Sequence, residues 1–242
     1  MIRRAAQELK SGMTVNLGIG LPSKVLDAVP EEISVCLHSE NGIAGMGPSL
    51  PYEEADRNLI DSGGAYVSTL PGASFFDSAV SFGLIRSGRI DLTILGAFQV
   101  AENGDLANWM IPGLFTPGIG GAMELAQKAR RVVILTTHLD KHGQSKLVKR
   151  CGLPLTAPAC VDRVYTDMAV IDVDQNGMVL REIAEGLTVD EVVAATEAPL
   201  IIPLETEADA KEFLHDHAGR KILRFDEVGM PLLKKLDEGD FE

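Results

Sequence analysis

The chain has 242 residues, 45% of them hydrophobic and 24% charged, which suffices for one large α/β domain with a substantial core. A formal net charge of −13 argues against nucleic acid as a partner, and no apolar run approaches the roughly 20 residues that span a bilayer, so no membrane partner is expected either. Cys36, Cys151 and Cys160 are odd in number and lack C-x-x-C spacing, which speaks against a disulfide framework or a zinc site and for reduced thiols in a cytoplasmic protein.

Met1-Ile2-Arg3-Arg4 leads into a helix-like segment with Glu8 and Lys10, not into a secretory apolar core. Residues 14–18 (Thr-Val-Asn-Leu-Gly) read as a strand, followed by a glycine turn, Gly18-Ile19-Gly20-Leu21-Pro22-Ser23, and a short helix over 24–29. Ile33 to Leu37 alternates and is rich enough in β-branched residues to be the next strand. Glu40 comes next, directly before Asn41-Gly42, a pair that tolerates positive φ and permits a sharp bend. An acid there stands at the carboxyl end of a strand, where open α/β sheets place their chemistry.

Downstream, Ala65 to Leu70 reads as a strand ending at the Pro71-Gly72 turn signal, and Phe75 to Ile85 has an apolar helical rhythm. Ile90–Leu95 and Val132–Leu135 are buried-strand candidates, separated by the glycine- and proline-rich stretch 113–121 and a helix over 123–130. Tyr165–Val173 and Met178–Glu182 are late strands divided by an Asp-Gln-Asn-Gly turn, and Thr188 caps a short helix. The β-α-β-α-β order predicts an α/β fold with a mainly parallel open sheet flanked by helices. Beyond Pro203 the composition turns dense in charge. The division is therefore a domain over 1–203 and a charged C-terminal extension over 204–242.

Several constellations compete for the chemistry. Gly18-x-Gly20-x-x-Ser23, with Glu40 about twenty residues on, has the outline of a dinucleotide fingerprint, but Pro22 and the missing third glycine leave a plain strand-to-helix turn as an equal reading. His138 and His142 have i, i+4 spacing without the glutamate or third ligand of a metal site, so a surface loop is expected there and no metal. Lys141, Lys146, Lys149 and Arg150 read as a solvated helix face or as contacts for phosphate. Ser39 lacks the G-x-S-x-G elbow of a hydrolase, and His38 reads as structural. Asn16, at the end of its strand, faces the same crevice as Glu40 or makes a plain strand-end hydrogen bond.

His38-Ser-Glu-Asn-Gly-Ile-Ala-Gly-Met-Gly-Pro48 resembles the S-E-N-G signature of family I coenzyme A transferases, in the form carried by the B (β) subunit of the 3-oxoacid CoA-transferase group. Leu17-Gly-Ile-Gly-Leu-Pro22, Leu95 to Val100, Gly104 to Trp109, Gly120 to Leu125, Thr136 to Lys146 and Tyr165-Thr-Asp167 with Ala169 to Asp172 extend the likeness over roughly residues 1–203. The resemblance implies a CoA-transferase/sugar-phosphate-isomerase-like fold and transfer of CoA between carboxylic acids through Glu40, by way of a glutamyl anhydride and a glutamyl-CoA thioester. It implies Gly121, with Gly120 or Ala122 beside it, as an oxyanion group, a plain helix-entry turn being the other reading of Gly118 to Gly121. Asn16, from its place at a strand end, is a further acyl-site candidate. Gln99 and Asn108 would line the substrate cleft, with Asn41 and Gly42 shaping its loop. No permanently bound cofactor is implied, the CoA thioester being a substrate, and an A (α) subunit is the implied partner, in an αβ or α2β2 assembly. The substrates would be succinyl-CoA or acetyl-CoA and a 3-oxo acid such as acetoacetate. Alternatives are 3-oxoadipate or butyrate/acetate transfer, and, in another class, a non-catalytic metabolite-binding domain of the same fold.

Overall fold

A computed structural model describes residues 1–116 and 118–203. The chain divides into two units, Met1–Ile202 and Pro203–Glu242. The second lies outside the described residues apart from Pro203, and so does the charged extension expected over 204–242.

In chain order the strands are β1 (Thr14–Leu17), β2 (Cys36–Ser39), β3 (Ile43–Ser49), β4 (Val67–Phe75), β5 (Leu92–Leu95), β6 (Gln99–Ala101), β7 (Leu106–Ala107), β8 (Val132–Leu135), β9 (Leu147–Val148), β10 (Arg163–Tyr165), β11 (Ala169–Asp174), β12 (Gly177–Ile183) and β13 (Leu200–Ile201). The α-helices are α1 (Ile2–Ala5), α2 (Ser78–Arg86), α3 (Ala122–Lys128) and α4 (Val189–Ala195). Among the described residues one ten-stranded sheet runs β13-β12-β11-β10-β8-β5-β1-β2-β3-β4, and a small sheet runs β7-β6-β9. The centre of the large sheet, β10-β8-β5-β1-β2, is parallel throughout, and antiparallel strands extend it on both sides. This is the expected α/β architecture.

The central strands read as unbroken apolar runs because both faces are covered. Every residue of β5 (Leu-Thr-Ile-Leu) and β8 (Val-Val-Ile-Leu) is buried. On one face Val15, Leu37, Ile94 and Val133 pack with Ala5 and Leu9 of the N-terminal segment. On the other, Ile134, Val164 and Ile171 pack with Val100 and Leu106 of the small sheet and with Val192 of α4. Glu8 anchors the N-terminal segment: its carboxylate accepts from Tyr165 Oη at 2.6 Å, Arg131 Nε at 2.9 Å and Arg163 at 3.0 Å. Helix α4 starts as expected from Thr188, in a full capping box with Glu191.

Four expectations are corrected. The strand begun near Ala65 does not stop at Pro71-Gly72 but continues to Phe75. Among the described residues β4 is the outer strand, paired only with β3, so the missing N–H of Pro71 sacrifices no ladder bond, and register shifts in the pairing absorb the irregularity. Tyr165–Val173 is two antiparallel strands, because Thr166 Oγ1 accepts from the Met168 and Ala169 amides at 3.1 and 2.9 Å and reverses the chain. His138 is not in a surface loop: it is 0% exposed, with its ring nitrogens 3.0 and 2.9 Å from the hydroxyls of Thr166 and Thr196. The basic cluster is no helix face either; Lys146 is half-buried beside β9 and donates to Thr136 and Thr137.

The two buried histidines make stability depend on pH. Burial lowers His38 and His138 below the ordinary imidazole value of 6.5, with Glu40 and Asp167 respectively opposing the shift. As pH falls through 6.5 the unfolded chain takes up protons that the folded chain refuses, so stability declines toward acid and is regained above that value. The expected slope is up to about 1.4 kcal/mol per pH unit for each histidine. Urea midpoints at about pH 7 and about pH 5.5 check this, and equal midpoints would contradict it.

Candidate active site

The carboxyl ends of the parallel strands converge on one crevice. The residues immediately following β1, β2, β5 and β8 are Gly18, Glu40, Gly96 and Thr136, and all line a cavity of about 570 Å³. Open parallel sheets leave such a crevice where neighbouring crossovers diverge. Its opposite wall is the segment Gly118 to Ala122 that leads into α3. Phe98, Trp109 and Phe115 add an aromatic side, Phe98 and Phe115 meeting edge to face at 6.1 Å.

Glu40 is set by its neighbours on three sides. Asn16 Nδ2 donates to Glu40 Oε2 at 3.1 Å. Gly121, the residue before α3, lies so close that a Cβ built on it would stand 2.8 Å from Glu40 Cγ and 3.0 Å from Oε1. Behind Glu40 the chain turns through Gly42, whose φ of +124° and whose hypothetical Cβ, 2.0 Å from the Phe76 carbonyl oxygen, admit glycine alone. The turn is stitched to the loop before β4: Ser39 Oγ accepts from the Ser62 amide at 2.9 Å, and Asn41 Nδ2 donates to the Ile60 carbonyl at 2.7 Å. Oε1 of Glu40 accepts no hydrogen bond among the described residues, so one carboxylate oxygen is held by Asn16 and the other, beside Gly121, is not held by any of them.

The sequence-predicted residues fall into two groups. Glu40, Asn16, Gly120, Gly121, Ala122 and Asn108 all line the cavity. Asn41, Gly42 and Gln99 do not. Gln99 is instead seen holding a loop: its Oε1 accepts from the amides of Gly152 and Leu153 at 2.9 and 3.1 Å. Asn108 lines the cavity but spends its amide on the scaffold, donating to the Gly96 carbonyl at 3.1 Å and accepting from Thr156 Oγ1 at 2.6 Å. Phe98, Phe115, Ser62 and Thr136 escaped the sequence reading. The Trp109 side chain did too, its indole N–H bonded to the Leu155 carbonyl at 3.1 Å. In a chain only 5% aromatic, three rings between positions 98 and 115 were the available signal.

Other nucleophiles are poorly placed. Burial pushes the Cys151 thiol up to about 11 and the Cys160 thiol up to about 12, so both stay protonated and unreactive near neutrality. Among the described residues no group of three or more His, Cys, Asp or Glu side chains could hold a metal ion, and no helix is long and apolar enough to cross a membrane.

Residues 1–195 match the family model described as Coenzyme A transferase. Over 202 residues the chain is 50% identical to the beta subunit of a probable coenzyme A transferase of Bacillus subtilis (strain 168), covering 84% of this chain and 93% of that one. Over 205 residues it is 47% identical to the B subunit of the succinyl-CoA:3-ketoacid coenzyme A transferase of Helicobacter pylori (strain ATCC 700392 / 26695), covering 84% and 98%. The fold is similar to that of the acyl-CoA transferase apoenzyme of Escherichia coli O157:H7, with a TM-score of 0.66 at 19% identity over 84% of this chain; the match spans 41% of that longer chain. The chain belongs to the coenzyme A transferase family and is an enzyme of CoA transfer.

Proposed function

We propose that this chain is the catalytic B subunit of a heteromeric CoA-transferase that moves CoA between a short-chain acyl-CoA, succinyl-CoA or acetyl-CoA, and a 3-oxo acid such as acetoacetate. The observation that carries the reading is the setting of Glu40. Its carboxylate stands at a strand end on a cavity of about 570 Å³, with Oε2 held by Asn16 and Oε1 free of hydrogen bonds among the described residues.

A free carboxylate attacks a thioester slowly, and a fixed glutamate divides the exchange into easier steps. Glu40 Oε1 adds to the thioester carbonyl; the C–S bond breaks and CoA leaves as thiolate, giving an acyl-glutamyl anhydride. The thiolate then adds to Glu40 Cδ; the anhydride C–O bond breaks, the donor acid leaves as carboxylate, and a glutamyl-CoA thioester remains. The acceptor carboxylate runs the two steps in reverse. No electron pair goes to a redox partner and no net proton is exchanged, so the chemistry asks for no resident cofactor. Each tetrahedral intermediate carries an oxyanion, and the donors assigned to it are the backbone amides of Gly121 and Gly120, in the cavity-lining segment where Gly121 lies against Glu40. The Ala122 amide is already given to the Ile119 carbonyl at 3.3 Å.

The same site supports an A-type partner. Ile19 is 73% exposed and Phe115 51% exposed, yet both line the cavity. Apolar side chains at a site that must exclude water from an anhydride suit coverage by a second subunit. The aromatic wall of Phe98, Trp109 and Phe115 suits a short acyl chain and favours acetoacetate over the longer dicarboxylate 3-oxoadipate.

The test is the intact mass of this chain, co-expressed with an A-type partner, after exposure to acetoacetyl-CoA or succinyl-CoA. The expected result is a CoA-sized adduct on the peptide containing Glu40. No adduct from a folded complex across a panel of acyl-CoA esters would move the assignment to a metabolite-binding domain.

A further inference from the structure

His38 is a buried titratable side chain that the proposed reaction does not use. It lies on β2 two residues before Glu40 and is 3% exposed. In the parallel ladder it stands in register with Asn16 of β1, which is in turn in register with Thr93 of β5. Its ring stacks on Phe76, with centroids 6.1 Å apart and planes 17° from parallel. Nδ1 is 3.3 Å from Asn16 Nδ2, and Nε2 is 3.0 Å from Ser81 Oγ on α2, itself 0% exposed. A chain of polar contacts therefore runs Ser81–His38–Asn16–Glu40 under the cavity floor.

We propose that His38 is a positioning residue that aims the Asn16 amide at Glu40. The inference rests on the reading of Glu40 as the nucleophile. The Asn16 amide nitrogen carries two hydrogens and no lone pair to offer, so each neighbour must accept. One hydrogen goes to Glu40 Oε2 at 3.1 Å; the other is shared between the His38 carbonyl at 3.1 Å and His38 Nδ1. For Nδ1 to accept, the ring proton must sit on Nε2, and Ser81 Oγ is placed to receive it. The ring is thus fixed in the one neutral tautomer that presents an acceptor to Asn16. Thr93, on the other side of Asn16, has a buried hydroxyl without a hydrogen-bond partner among the described residues and makes no claim on that amide. Among the described residues the hydrogen of the Asn16 amide that Glu40 does not take is therefore held by His38, through its carbonyl and its ring.

The consequence reaches the reaction. Glutamate has three rotatable side-chain bonds, and the Asn16 hydrogen bond selects the arrangement that engages Oε2 and leaves Oε1 beside Gly121. If the imidazole is removed, the Asn16 amide keeps Glu40 and the His38 carbonyl as acceptors but loses the ring nitrogen that shares its second hydrogen, so its plane, and with it the hold on Glu40, loosens. A displacement of about 1 Å in an attacking group costs on the order of 10²-fold in rate.

The test compares His38→Leu and His38→Gln in the complex with the A-type partner, measuring the rate of thioester formation on Glu40 as a function of acyl-CoA concentration up to saturation. Leucine fills the space without an acceptor; glutamine can accept from Asn16 through Oε1 and donate to Ser81 through Nε2. Thioester formation is expected to slow about 10- to 100-fold in His38→Leu with KM unchanged, and to return to within about threefold of the original rate in His38→Gln. Full speed in His38→Leu, equal loss in both variants, or a loss confined to KM would overturn the proposal. Should His38→Leu fail to fold, Ser81→Ala replaces it: slowed thioester formation supports the relay and an unchanged rate overturns it. Glu40→Ala run alongside separates the two readings. Activity surviving in that variant defeats the nucleophile assignment, whereas an inactive Glu40→Ala beside a fully active His38→Leu defeats only the relay.

Discussion

Replacing Glu40 by alanine is expected to lower CoA transfer by at least about 10⁴-fold while leaving the fold intact. Well-aligned intramolecular attack supplies roughly 7–11 kcal/mol of a barrier, and alanine forfeits all of it because no second carboxylate among the described residues lines the cavity. On the proposed mechanism most of the acyl-CoA lies away from the reacting carbon, so its binding should survive and the loss belongs in kcat. Glu40→Asp is the finer probe. It keeps the charge but withdraws the carboxylate by one methylene from Asn16 Nδ2, now at 3.1 Å, and from the thioester beyond it. An intermediate loss of about 10²- to 10³-fold is expected. Steady-state kinetics on the purified complex decide the matter: an alanine variant within about tenfold of the original would mean that the transfer does not pass through Glu40.

The placement of Glu40 was legible because its signals are local. An acid directly before an Asn-Gly pair, after an apolar run, places a carboxylate at a strand end, and β2 does end beside it at Ser39. The same holds for the turn after β1, for β8 and for the capping box of α4. β2 itself, however, is Cys36–Ser39 rather than the expected Ile33–Leu37, so the β-branched Ile33 and Val35 precede it. What stayed illegible depends on contacts distant in sequence. Gln99 carries the amide of a cleft residue, yet its oxygen binds the loop at Gly152 and Leu153, more than fifty positions away. His38 looks like a strand-face residue until the parallel register sets it beside Asn16, twenty-two positions earlier. β6, β7 and β9 are two or three residues long, too short for any periodicity to announce them, and β9 reaches β6 only across α3 and β8. His138, spaced like a metal ligand, is buried because Thr166 and Thr196 converge on both ring nitrogens.

Gly121→Ala is expected to cost about 10²- to 10³-fold in activity and nothing in stability, and the contrast between the two gives it force. Backbone geometry offers alanine no obstacle: Gly121 has φ −77° and ψ −8°, within the right-handed helical region. At a helix start alanine loses less conformational freedom on folding than glycine, so the melting temperature should hold or rise slightly. The obstacle is Glu40. The added methyl would lie 2.8 Å from Cγ, 3.0 Å from Oε1 and 3.1 Å from Cδ, so it must push the glutamate aside. A side chain yields more readily than backbone, which is why the fold survives. A yielding Glu40 leaves Asn16 and turns its free oxygen away from the thioester, and the same methyl intrudes on the amides proposed to receive the oxyanion. The check is paired: the melting temperature of the complex, and the rate at which the glutamyl-CoA thioester accumulates. A folded variant that forms the thioester at the original rate would show that Glu40 does not react from the position it occupies here. A folded variant with the predicted loss would tie the absence of a side chain at position 121 to the reach of the nucleophile, because the three nearest atoms the methyl would meet all belong to Glu40.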